Sequence, residues 1–313
     1  MNAEQAMPLL SYPFPDLVNG HLEAIERQVS QWIDEYDNVP QPLRQKLKKG
    51  LFGDVTARFY PTVSWELLCP IARYITYAFV VDDYYGQLPH KEIQIVANRA
   101  AAILKGDKVT RKEAPVFQQL QLFVNELLPY TTPEWMSRFI ESNDKYFESL
   151  VKDSTDYSYR SIIEYPTLQE YVLLREQIVL VHPLLDLMEI ATGVMLSDDV
   201  YRDVSLQQLR RLVTRMAAWS NDFFSYEKER HDHEAMNLIS VIQHEQQCSA
   251  EEAKIQALEI HDLDLAQFIS LSDRLPDFGA MNKGIQLYVT YLKVFLQGHL
   301  SWYKTTKRYR EYT

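Results

Sequence analysis

Two groups of oxygen-bearing side chains in this sequence have the type and spacing to hold a hard cation. The first is the adjacent pair Asp82 and Asp83. From Trp65 to Val81 the apolar residues Leu67, Leu68, Ile71, Ala72, Ile75, Ala78 and Phe79 recur at steps of three and four, which predicts a helix with a buried stripe. One further step from Ala78 and Phe79 reaches the two acids, so they stand at the inner, C-terminal end of an apolar face. A helix C-terminus carries partial negative charge and disfavours an acid by up to about 1 kcal/mol, and desolvation adds to that cost. A bound cation resolves both, and carboxylates without a local His or Cys suit Mg²⁺. A solvated helix end capped by Gly86 is the alternative reading of the pair.

The second group is the segment NDFFSYEKE, residues 221 to 229, with Asn221, Ser225 and Glu229 at successive steps of four. Each step advances about 40° around a helix and about 6 Å along it, so the three oxygens line one strip. Followed backwards, that strip is Ala217, Val213 and Leu209, an apolar stripe. An amide, a hydroxyl and a carboxylate that continue a core face offer three ligands to one hard cation; a polar helix end facing water is the alternative. By contrast His231, Asp232, His233 and Glu234 read as a solvated turn on a loop.

The elements that must position these groups are helical. The same three- and four-residue stepping runs from Thr167 to Met195, from Leu209 to Phe224 and from Ile285 to Trp302, while strand-like alternation is scarce. Pro70 and Pro183 fall inside helical patterns and are expected to kink them; Pro183 would leave the Val179 carbonyl without its helical partner. Connections are short turn clusters such as Asp153 to Asp156, with no repeat or long linker. The expectation is one all-α domain over 1–313 with about ten helices, and an N-terminal segment of about 1–20 as a flexible cap.

Composition narrows the function. At 46% hydrophobic and 24% charged residues the chain can build a core, which excludes disorder as its main state. Its nine glycines form neither G-x-G nor GxxxxGK[ST], which excludes the Rossmann and P-loop phosphate cradles. A formal charge of −11 is the wrong sign for a nucleic-acid binder. Cys69 and Cys248 are too few and too far apart for a disulfide framework or a zinc ribbon, which fits a reducing cytosol. No apolar run reaches about 18 residues and the N-terminus lacks a basic, apolar leader, so a cytoplasmic protein without membrane insertion is expected.

Asp82-Asp83 followed 139 residues later by NDxxSxxKE resembles the paired metal motifs of bacterial-type class I terpene synthases. PFPDLVNGH, Asn237-Leu238 and Arg308-Tyr309 match further positions in order, and Arg175 stands 46 residues before Asn221, where that family carries its diphosphate-sensing arginine. The resemblance implies a class I helical bundle in which Asp82, Asp83, Asn221, Ser225 and Glu229 bind three Mg²⁺ ions. It assigns Arg175, Lys228, Arg308 and Tyr309 to the diphosphate of an isoprenyl substrate, and the Val179 carbonyl to its ionising end. Tyr77, Phe79, Leu180 and Trp302, with Tyr74, are candidates for the apolar wall, with plain helix core as the alternative for any one of them. It further implies cyclisation of farnesyl diphosphate, with geranylgeranyl diphosphate or a non-catalytic diphosphate-binding relative as alternatives; a homodimer is compatible with it. The sequence departs from the family's pattern at Gly86 and Gln87, where a third acid is usual, and at Ile178-Val179, where Asp-Gly is common.

Overall fold

A computed structural model describes residues 10–157 and 164–309. Among them fourteen α-helices and no strand occur, more helices than the ten expected because short segments also fold. In chain order they are α1 (Leu22–Glu35), α2 (Gln41–Lys49), α3 (Phe52–Phe59), α4 (Trp65–Val80), α5 (His90–Leu104), α6 (Pro115–Leu127) and α7 (Pro133–Asp156). There follow α8 (Leu168–Ile178), α9 (Val181–Thr192), α10 (Asp198–Tyr201), α11 (Val204–Asp232), α12 (Leu238–Gln246), α13 (Ala250–Ser272) and α14 (Asn282–Thr305). None of these helices is long and apolar enough to cross a membrane.

Helix α4 is buried around most of its circumference from Pro70 to Val80, which marks it as a central element. It packs against α3 and α6; α14 packs on α3, α7 on α5, and α13 on α11. Local chemistry sets the ends. Asp203 accepts the first free N–H groups of α11 from Ser205 and Leu206, and Thr167 with Glu170 forms a capping box at the start of α8.

The single helix expected from Thr167 to Met195 is two. The backbone breaks at Leu180, which adopts the left-handed conformation with φ 57°. Pro183 therefore kinks nothing: it is the third residue of α9, where a helix has no use for the missing N–H. The turn expected at His231 to Glu234 is also revised, since α11 continues through Asp232 and closes on His233 in the left-handed region. Of the segment of about 1–20 expected as a flexible cap, residues 1–9 lie outside the described residues, and those from 10 onward include packed side chains. The Tyr12 hydroxyl lies 2.8 Å from His261 Nε2 and 3.0 Å from Ser220 Oγ, and Asn19 donates to the carbonyls of Tyr60 and Val63.

Candidate active site

The helices enclose a cavity of about 640 Å³. From α4 it is faced by Ile75, Ala78 and Phe79, and one step further by Asp82 and Asp83. Leu180 and Trp302 also line it, as expected of wall residues. Tyr77 and Tyr74 do not. Each lies one position back along the chain, about 100° around the helix from the facing stripe. Tyr74 packs its ring against Phe123 and Phe139, and Tyr77 lies beside it in the core.

At Val81–Tyr85 the helix widens into a single π turn that carries the aspartates, and Gly86 N–H closes it on the Val81 carbonyl at 2.7 Å. A Cβ on Gly86 would lie 2.7 Å from the Asp82 carbonyl oxygen, so this backbone has no room for the third acid at that position. The two carboxylates differ in surroundings. Asp82 is 54% exposed, opening on the cavity, and partial withdrawal from water together with Asp83 pushes its carboxyl up to about 6. Asp83 is only 9% exposed; burial works to raise it, but Arg308 outweighs that and holds it below the ordinary range. Arg308 grips Asp83 in a two-bond fork, with Nη2 2.7 Å from Oδ1 and Nη1 on Oδ2, and its Nη2 lies 3.6 Å from Asp82.

Across the cavity, Asn221 and Glu229 line the wall from α11. Ser225, between them on the strip, is buried, and its Oγ donates to the Asn221 carbonyl at 2.8 Å instead of facing the cavity. Glu229 accepts from Asn237 Nδ2 at 2.8 Å, and burial followed by the nearby Asp222 raises its carboxyl. Among the described residues no three His, Cys, Asp or Glu side chains gather closely enough to hold a metal alone. A cation here needs the amide and hydroxyl oxygens too, and an all-oxygen set suits a hard divalent ion.

The basic residues are joined to this strip. Arg175 Nη2 donates to Asn221 Oδ1 at 2.7 Å, while Asn221 Nδ2 donates to the hydroxyls of Tyr303 at 2.8 Å and Tyr309 at 3.2 Å. Arg308 Nε donates to Tyr309 Oη at 3.3 Å, and Arg308 holds Asp83. A continuous run therefore links Arg175, Asn221, Tyr309, Arg308 and Asp83, five positions from four separate parts of the chain. Lys228 also lines the cavity, with its Nζ 3.2 Å from Glu234 and 3.6 Å from Asp232, so the segment expected as a solvated turn faces the cavity instead. Val179 caps α8 beside Arg175, and the residue four ahead, Pro183, has no N–H to offer its carbonyl.

The anion that holds Arg175, Asp222, is not among the residues expected from the sequence to form the site. Asp222 is fully buried and accepts from Arg175 Nε at 3.0 Å and Nη2 at 2.5 Å, from Leu238 N–H at 2.8 Å, and from the Tyr171 hydroxyl. Its signal was present: four residues back lies Ala218 and four more Thr214, a second buried stripe of α11. An acid on such a stripe calls for a cation. Because Arg175 serves two acceptors with a planar fork, Arg175→Lys is expected to lower turnover at least about tenfold, or about 1.4 kcal/mol of barrier. Steady-state rates test this, and an unchanged rate in a folded variant would reduce Arg175 to a structural residue.

A family model described as "Terpene synthase family 2, C-terminal metal binding" matches residues 73–267, more than half of the chain. The chain is 27% identical over 305 residues to the (+)-T-muurolol synthase, (2E,6E)-farnesyl diphosphate cyclizing, of Roseiflexus castenholzii, covering 96% of this chain and 93% of that one. It is 25% identical over 308 residues to a germacrene A synthase of Nostoc punctiforme, covering 96% and 94%. In fold it is similar to the crystal structure of a-eudesmol synthase, with a TM-score of 0.84 at 21% identity over 95% of this chain and 99% of that one. A linalool/nerolidol synthase from Streptomyces clavuligerus, solved in complex with 2-fluorogeranyl diphosphate, gives a TM-score of 0.84 at 18% identity, covering 96% and 99%.

Proposed function

Because the chain belongs to terpene synthase family 2, we propose that it is a Mg²⁺-dependent cyclase that ionises farnesyl diphosphate and closes the carbocation to a sesquiterpene. As a terpene synthase it is a lyase acting on a diphosphate, and its family domain is a metal-binding one. The observation that carries the fuller reading is the hydrogen-bonded run from Arg175 through Asn221 and Tyr309 to Arg308 and Asp83. It ties the expected anion-binding groups to both expected metal-binding groups.

In this reading Asp82, Asp83, Asn221, Ser225 and Glu229 would hold three Mg²⁺ ions. The metal, when bound, supplies Lewis-acid neutralisation of the leaving diphosphate. Arg175, Lys228, Arg308 and the Tyr309 hydroxyl bind and orient its oxygens. Arg308 exchanges Asp83 for a phosphate oxygen as it does so, which frees that carboxylate for a ligand role. The Val179 carbonyl, without a helical N–H partner, keeps its lone pairs for the carbon end that becomes positive. Phe79, Leu180 and Trp302 exclude water and give the cation apolar and π surface, with each aromatic face contributing about 0.5 to 2 kcal/mol when desolvated.

Incubation with the C10, C15, C20 and C25 isoprenyl diphosphates, with gas chromatography and mass detection, is expected to give cyclic C15 products. Preferred use of the C20 substrate would make it a diterpene synthase, and no diphosphate release from any of the four would favour a binding protein. Excess chelator is expected to abolish release and added Mg²⁺ to restore it. Full turnover in chelator would remove the metal from the scheme.

A further inference from the structure

Helices α3 and α14 present Val55, Phe59, Phe295 and Trp302 to the cavity, all apolar, and among them stands His299. Its ring is packed against aromatic neighbours: centroids lie 4.7 Å from Tyr303, 5.8 Å from Phe59, 5.9 Å from Trp302 and 6.1 Å from Phe295. Nδ1 is buried with no hydrogen-bond partner among the described residues. His299 lines the cavity, which leaves Nε2 as the nitrogen open to it. A polar, unpaired ring on an apolar wall costs free energy and adds nothing to packing that Phe would not supply.

Resting on the cyclase reading above, we infer that His299 is the base that ends the cation cascade. In this step a C–H bond on the carbon beside the final cationic centre breaks. Its electron pair becomes the π bond of an alkene, and the proton forms an N–H bond at Nε2. The positive charge passes from carbon to the imidazole ring, where the surrounding aromatic faces stabilise the imidazolium. The proton then leaves to water or to the released diphosphate, which returns the ring to its neutral form. Burial favours this starting state, since it pushes the imidazole down to about 3, so the ring enters each turnover unprotonated. A group that is neutral beside the substrate also does not repel the developing cation, as a charged lysine on the same wall would.

The test compares wild type with His299→Phe and His299→Gln, each checked for folding by circular dichroism. Phe preserves a flat aromatic wall without a nitrogen, and Gln preserves polarity without a basic nitrogen. The comparison uses whichever isoprenyl diphosphate the wild type consumes, so an error in substrate chain length leaves the outcome for His299 readable. Both variants are expected to release diphosphate with KM little changed, while the share of the principal alkene falls about tenfold in favour of alcohols and earlier-quenched products. A merely structural role would lower total rate without altering that ratio. An unchanged product profile in either folded variant overturns the inference.

Discussion

Glu229→Gln is expected to reduce diphosphate release by at least about two orders of magnitude, close to 2.7 kcal/mol of barrier, while the protein stays folded. The two effects separate because the proposed reading gives Glu229 two roles. Toward Asn237 it is a hydrogen-bond acceptor at 2.8 Å, and a glutamine oxygen replaces it there. Toward a metal it would be a charged ligand, which glutamine is not. The substitution also removes a carboxylate whose ionised form is disfavoured by burial and by Asp222, so the melting temperature of the metal-free protein is expected to hold or rise. Product release assays and thermal melts on one preparation check both halves. A folded variant at the wild-type rate would take Glu229 out of the metal set.

Asp222→Ala is expected to cost about 3–5 kcal/mol of stability. The side chain of Asp222 is 1% exposed and that of Arg175 11%, so truncation leaves a guanidinium with little water to replace its partner. Three further donors converge on the same carboxylate: the Tyr171 hydroxyl, Leu238 N–H and a second Arg175 nitrogen. Through Leu238 the loss reaches the start of α12, and through Tyr171 it reaches α8. Urea unfolding gives the value, and a shift below about 1 kcal/mol would mean that the buried pair is energetically neutral.

What the sequence made legible, and what it hid, follows from which signals are periodic. The Asp82 pair and the strip of Asn221 and Glu229 are legible because each continues an apolar stripe at helical spacing, although the π turn at Val81–Tyr85 shifts the aspartates off strict α-helical register. Tyr77 was misplaced for the opposite reason. Helix α4 is apolar on nearly all sides, so periodicity does not tell its cavity face from its core face. Ser225 lies on the strip of α11 by its spacing, but the direction of its hydroxyl depends on the Asn221 carbonyl, which spacing does not encode. The break at Leu180 had no local signature, because leucine is a poor residue for a left-handed backbone and only tertiary packing holds it there. Pro183 drew attention to the right neighbourhood for the wrong cause. Gly86 read as a missing acid, whereas the π turn makes it a steric requirement of the motif as this chain builds it.

The left-handed Leu180 sets robustness against fidelity at one codon. Holding a leucine at φ 57° costs about 1–2 kcal/mol, which glycine would relieve while losing about 0.5–1 kcal/mol in chain entropy. Selection for thermal endurance alone would therefore drift toward glycine there. The same exchange would delete a side chain from the cavity wall, which in the proposed reading shapes the folding hydrocarbon. On the cyclase reading, improvement of this protein for heat tolerance is best screened on product identity as well as survival, because a strained backbone position is also a cavity-wall position.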